Sequence, residues 1–181
     1  MNPRLKKKIR AIAIVLTILC MIMIFRFSMD DASSSHELSS MCVEIFDRAV
    51  LYLTGKDLKI AISATHYAYL ELFFRKLAHM FIYFLLSINV MIVLFTFNMK
   101  MLPRMVISLL FCFFYACTDE FHQLFVDGRG ASFIDTLFDS TGAFLGILVA
   151  LILYCIAYTL MTKYQKKKGI VSSIYDQKVE S

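Results

Sequence analysis

The sequence predicts an all-α integral membrane protein with four transmembrane helices and an outer amphipathic helical segment between the first and the second. Three observations carry this reading. The chain of 181 residues is 59% hydrophobic and only 18% charged, whereas soluble domains average about 45–50% apolar and about 25% charged residues. Several apolar runs approach the roughly 18–20 residues needed to cross a bilayer. Lysines and arginines gather in segments between or beyond those runs, as the positive-inside rule expects of cytoplasmic segments. The net charge of +5 therefore needs no nucleic acid as its partner, and none is predicted.

The first span is read at about residues 9–27. It follows the basic start NPRLKKKIR. Its apolar core is longer than the about 7–15 residues of a signal peptide, which predicts an uncleaved anchor. Between the spans at 9–27 and 77–97 lies a long connection. There Ser34 followed by Glu37 forms a capping-box pattern. Leu38, Met41, Ile45, Ala49 and Tyr52 then recur at helical spacing. This predicts an amphipathic helix on the outer interface that ends near Gly55. Residues 58–74 are also helix-like and lead into the second span. The second span covers about residues 77–97. A tight hairpin, NMKMLPR, follows, with Pro103 suited to a turn or a first helical turn. The third span covers about 105–126 and the fourth about 133–161. Residues 1–162 form the transmembrane domain and 163–181 a basic tail.

Orientation follows from charge. With the N-terminus in the cytoplasm, residues 1–10, the hairpin at 98–104 and the tail from Lys163 are all inside. They hold five, two and five basic residues, twelve of the nineteen, and only two of the fourteen acids, Asp176 and Glu180. Both termini are expected in the cytoplasm of a multi-pass cell-membrane protein. The five cysteines form no C-x-x-C pair, so neither a zinc ribbon nor a disulfide framework is predicted.

Against this background the stretch ACTDEFHQLFVDGRGASFID at residues 116–135 is anomalous. Charged side chains at lipid depth are costly and point to function by default. With a span starting near Met105, Asp119 lies about 21 Å along the helix at 1.5 Å per residue. It is then within the outer leaflet and must face other helices. Helical spacing supplies its neighbours. Arg75 and His79 are four residues apart and share a face, with Tyr83 and Asn89 near it. Asp119 and Gln123 share a face, flanked by Glu120 and His122. Asp135, Asp139, Gly142 and Gly146 fall in one narrow arc. Gly142-x-x-x-Gly146 is a small-residue surface that admits a close helix. All the polar positions sit at the outer ends of their spans, so one wall of an outward-opening charged pocket is predicted.

The strings FRFSMDDASSS, RKLAHMFIYFLLS and TDEFHQLFVDGRGASFIDTLFDSTGAFLG resemble the VanZ-like membrane family. The matching positions are Arg75, His79, Tyr83, Asp119, Glu120, Gln123, Arg129, Asp135, Gly142 and Gly146. The family often has Pro-Gly where this chain has Asp127-Gly128, and Asn where it has Asp139. The resemblance implies an envelope role. The family is named for a protein in glycopeptide-resistance clusters that lowers susceptibility to teicoplanin, and relatives occur widely in Gram-positive bacteria.

Two arginines suit a phosphate or carboxylate, because guanidinium presents a planar fork of donors. The predicted ligand is therefore a lipid-linked envelope precursor or a lipoglycopeptide, with the bilayer as the other partner. Arg75, Tyr83, Gln123, Arg129, Asp135 and Asp139 would bind it. His79, Asp119 and Glu120 are candidate acid/base residues should the ligand be modified. Two alternatives stand beside this. A non-enzymatic accessory protein would use the cluster to fasten helices, and a small transporter would use it to relay protons. No cofactor is predicted. No metal is predicted either: His79, Asp119, Glu120 and Asp135 are possible ligands, but H-E-x-x-H and C-x-x-C spacings are lacking. His36, His66 and His122 read as lone surface or interface residues. Ser28, Ser33, Ser34 and Ser35 suit helix capping better than nucleophilic attack. No P-loop, nucleotide fingerprint or nucleophile elbow is present.

Overall fold

The structure, a computed structural model, describes residues 3–29, 32–55, 57, 63–126 and 130–179. At 32–39, 64 and 168–179 it describes backbone alone. Among the described residues there are five helices and no strand: α1 (Pro3–Met29), α2 (Ala32–Thr54), α3 (Ala64–Phe95), α4 (Met101–Gln123) and α5 (Phe133–Val179). Four of them, all but α2, contain stretches long and apolar enough to cross a membrane. The expected four-span helical architecture is thus present, with helices that run beyond or stop short of the expected bounds: α1 starts at Pro3, α4 at Met101, and α5 continues to Val179. The second membrane helix starts a dozen residues earlier than residue 77 and absorbs part of the helix-like lead-in. The third ends at Gln123, and residues 124–126 form a turn rather than a last helical turn.

The chain divides into two compact units, residues 1–147 and 148–181. In the first, α3 is the central element. It packs against α1, α2 and α4, and α1 also touches α4. Ile24, Tyr83, Leu86, Val90, Cys112, Ala116 and Ala143 form the core. Small residues at 112, 116 and 143 let the helices approach, as membrane packing requires in the absence of a hydrophobic drive between helices. A polar tie crosses this core where the Tyr115 hydroxyl donates to the carbonyl of Met21 at 2.7 Å. The second unit is the continuation of α5. Its apolar residues from Ile152 to Tyr164 are largely exposed, as lipid-facing residues are.

Outward exposure of apolar side chains also explains α2. Its predicted stripe is present, but Met41, Ile45 and Tyr52 are 61%, 62% and 90% exposed, while Val43 and Asp47 are buried. The helix therefore turns its apolar stripe away from the protein, the arrangement an interfacial helix needs. Phe46 holds it to α3 through the ring of Phe74, 5.6 Å between centroids. The helix ends as expected at Gly55, whose φ of +70° is readily adopted only by glycine. Its N–H donates to the carbonyl of Leu51 at 2.8 Å. The helix starts at Ala32, two residues before Ser34; the side chains of the Ser34–Glu37 capping pattern lie outside the described residues.

The opposite end of α3 is closed by two arginines. Arg10 of α1 donates to the Thr96 hydroxyl at 2.8 Å and to the Thr96 carbonyl at 3.3 Å. Its guanidinium lies 4.1 Å from the centre of the Phe97 ring. Arg104 donates to the Phe97 carbonyl at 2.9 Å and is only 9% exposed. The last carbonyls of a helix lack intrahelical donors and carry partial negative charge, so cations belong there. Pro103 falls in the first turn of α4, where its missing N–H is harmless.

Gly142 and Gly146 set the approach of α5 to α3. A Cβ at Gly142 would overlap the backbone carbonyl of Met80. One at Gly146 would overlap the Phe84 carbonyl and the Ser87 hydroxyl, each well inside 3.0 Å. Backbone cannot give way as a flexible side chain can. Gly142→Ala is therefore expected to cost about 1–3 kcal/mol of stability, the range for overpacking. Gly130→Ala, with nothing within 4 Å of the added carbon, should be close to neutral. Thermal unfolding of the two variants in detergent checks the difference.

Candidate functional site

The ends of α3, α4 and α5 remote from the α3–α4 hairpin assemble the site from short helical spacings. On α3, His79 is four residues from Arg75 and three from Lys76, so it neighbours both on the helix surface. On α4, Glu120 and Gln123 are related in the same way, and on α5 Asp135 and Asp139. These seven side chains line one cleft of about 210 Å³, together with Leu72, Gly130 and Phe138. It lies at the end of the first unit opposite the α3–α4 hairpin. With α4 starting at Met101, Asp119 stands about 27 Å along the helix.

Burial separates the acids. Asp119, Glu120 and Asp139 are 5%, 7% and 3% exposed, while Asp135 stays half-open. The Asp119 carboxylate accepts from the Gln123 amide at 3.3 Å, a one-turn contact that fixes both side chains. The Glu120 carboxylate accepts from the Ser132 N–H at 2.8 Å, just before α5 begins, where the helix dipole favours a negative group. His79, Asp119 and Asp139 bring their donor atoms within 4.8 Å of one another. Tyr83 is fully buried next to this trio's α3 member, with its ring 6.3 Å from that of Tyr115.

The structure thus brings together Arg75, His79, Asp119, Glu120, Gln123, Asp135 and Asp139 from the predicted set. Tyr83 lies beneath them in the core. Gly142 and Gly146 are packing residues, as their spacing suggests. Arg129 lies outside the described residues. Asn89 is not on the cleft: it donates to the Leu85 carbonyl at 3.1 Å and approaches the Cys20 sulfur at 3.6 Å, so it faces α1. His122 stacks obliquely on Phe25, 4.8 Å between ring centres, an interface role. Ser28 is fully buried.

Sequence reasoning missed Lys76. Its ammonium donates to the Asp135 carboxylate at 2.5 Å and lies 5.2 Å from the Phe138 ring centre. The signal was its i,i+3 relation to His79, hidden by the preceding arginine. With the two side chains 40% and 33% exposed, the pair contributes at most about 1 kcal/mol. A double-mutant cycle of Lys76→Met and Asp135→Asn, read by unfolding, should return a coupling at or below about that value. A coupling several times larger would make the pair a principal helix fastener.

No curated protein and no solved structure matches the chain. Residues 13–154 match the family model described as VanZ/LLP1. That segment takes in α1 through the cleft-forming part of α5, most of the chain, and the protein belongs to the VanZ/LLP1 family.

Proposed function

We propose that the cleft binds the anionic head of a lipid-anchored envelope molecule or lipoglycopeptide at the outer face of the cell membrane. The observation that carries the reading is the convergence of Arg75, Lys76, His79 and three acids on one cleft at the end of apolar helices. Fixed cations in a partly dehydrated site attract phosphate and carboxylate more strongly than they would in water.

A second feature supports an amphiphile over a soluble anion. An apolar groove of about 490 Å³ is walled by Phe74, Leu77, Phe81 and Phe84 of α3, by Gly142 and Leu145 of α5, and by Cys42 of α2. Gly142 lies about one turn along α5 from Asp139 and within about 60° of it around the helix. The occupant is an acyl chain whose head reaches the cleft. In this reading His79, Asp119 and Glu120 move protons if the head is modified, and Arg75 and Arg129 orient it.

Helix fastening is the competing reading. The Lys76–Asp135 pair and the Glu120–Ser132 contact favour it, since both join α5 to its neighbours. Transport has less support, because the charged residues gather at one end of the helices rather than at midplane.

Antibiotic susceptibility separates binding from fastening. Deletion, wild type, Asp119→Asn, Glu120→Gln and Arg129→Ala are compared at matched membrane protein levels, with teicoplanin beside vancomycin, which lacks the acyl chain. Wild type is expected to protect selectively against teicoplanin, and each near-isosteric change to return the cells to the deletion level. Arg129→Lys should also impair protection, because a point charge does not replace a planar fork. Full protection by Arg129→Ala would sink the reading.

The orientation is proposed from charge alone and has its own check. An alkaline phosphatase fusion at Asp57, between α2 and α3, should be active. Fusions at either terminus should be inactive. The reverse pattern would place the cleft in the cytoplasm.

A further inference from the structure

Three helices each contribute one metal-competent side chain to a single point: His79 from α3, Asp119 from α4 and Asp139 from α5. Their sequence separations are 40 and 20 residues, so no local periodicity forces the meeting. Their donor atoms all lie within 4.8 Å of one another. Ligand bonds of about 2.0–2.2 Å place donors about 3.0–4.2 Å apart around a cation. Side-chain shifts of at most about 1–2 Å span the difference.

The surroundings also fit an ion. Asp119 and Asp139 are almost fully buried. Gln123 holds Asp119 from behind at 3.3 Å, the kind of outer contact that orients a ligating carboxylate. The Tyr83 hydroxyl is fully buried and lacks a hydrogen-bond partner. It is one turn along α3 from His79 and within electrostatic reach of both Asp119 and Asp139. Buried hydroxyls are seldom left unmatched; water held by an ion at the trio would supply the partner. His79 and Asp139 also border the cleft, which leaves an open side for such water or for an anionic group.

We propose that His79, Asp119 and Asp139 form a binding site for a first-row divalent transition cation, Zn²⁺ or Mn²⁺. Magnesium and calcium prefer donor sets made wholly of oxygen, and the imidazole moves the preference toward zinc and manganese. A cation here would add positive charge to the cleft beside Arg75 and Lys76. The site escapes motif reading because its ligands come from three helices rather than from one H-E-x-x-H turn.

The test uses the full-length protein in detergent, stripped with chelator and titrated calorimetrically with ZnCl₂, MnCl₂ and MgCl₂, with no lipid or antibiotic present. Saturable binding of one Zn²⁺ or Mn²⁺ per chain, tighter than Mg²⁺ by about tenfold or more, is expected. His79→Gln and Asp139→Asn should each lose it, and Gln123→Leu should weaken it by about tenfold. Asp57→Asn, on the α2–α3 connection, should bind as wild type. Helicity and monodispersity of each variant are checked first. Absence of saturable binding by wild type overturns the proposal, as does binding retained in both His79→Gln and Asp139→Asn. Because the metal is the only probe, these outcomes are independent of whether the protein affects susceptibility to teicoplanin.

Discussion

Everything at the cleft depends on how closely α5 can approach α3. Gly142 rests against the backbone of Met80, and Gly146 against Phe84 and Ser87, so the two helices touch through main chain rather than side chain. Both run in the same direction, since 142 meets 80 while 146 meets 84 and 87. That contact fixes the register one turn above it. Asp139 arrives beside His79, and Asp135 reaches Lys76. A larger residue at either glycine would push apart the groups that make the cleft. The small-residue pattern, which looks like a packing detail, is therefore the condition for the cleft.

Much of this was legible because a helix converts spacing into direction. Arg75 and His79, Asp119 and Gln123, Asp135 and Asp139 are each four residues apart, and each pair shares a face in the structure. What a single sequence does not encode is which level of one helix meets which level of another. Hence Asp139, rather than Asp135 or Glu120, stands with His79 and Asp119. Asn89 shares the periodicity of the polar face yet lies too far down α3 to reach the cleft, and it bonds near α1 instead. Lys76 was masked by its neighbour: two adjacent cations differ by about 100° in direction, and only the tertiary contact with Asp135 tells which of them pairs.

The outer helix α2 teaches a related lesson about sign. In a soluble protein an apolar stripe marks the buried face. Here Met41, Ile45 and Tyr52 are the exposed ones, and the buried positions are Val43 and Asp47. The period was readable; its direction depended on the solvent. The same inversion holds along α5 beyond residue 148, where apolar side chains are exposed for two further turns and more.

The arginines at the far end have a consequence for how the protein is made. Arg10 and Arg104 belong to basic segments from which the orientation is proposed by the positive-inside rule. In the finished protein they are the donors that close the carbonyl end of α3. On the proposed orientation, one pair of residues would act at two moments, first as an address read by the insertion machinery and later as a clasp. Moving these charges along the chain to another inner segment would preserve the address and open the clasp. A variant inserted the right way round would then emerge with a frayed hairpin, and its fault would be invisible to any assay of orientation alone.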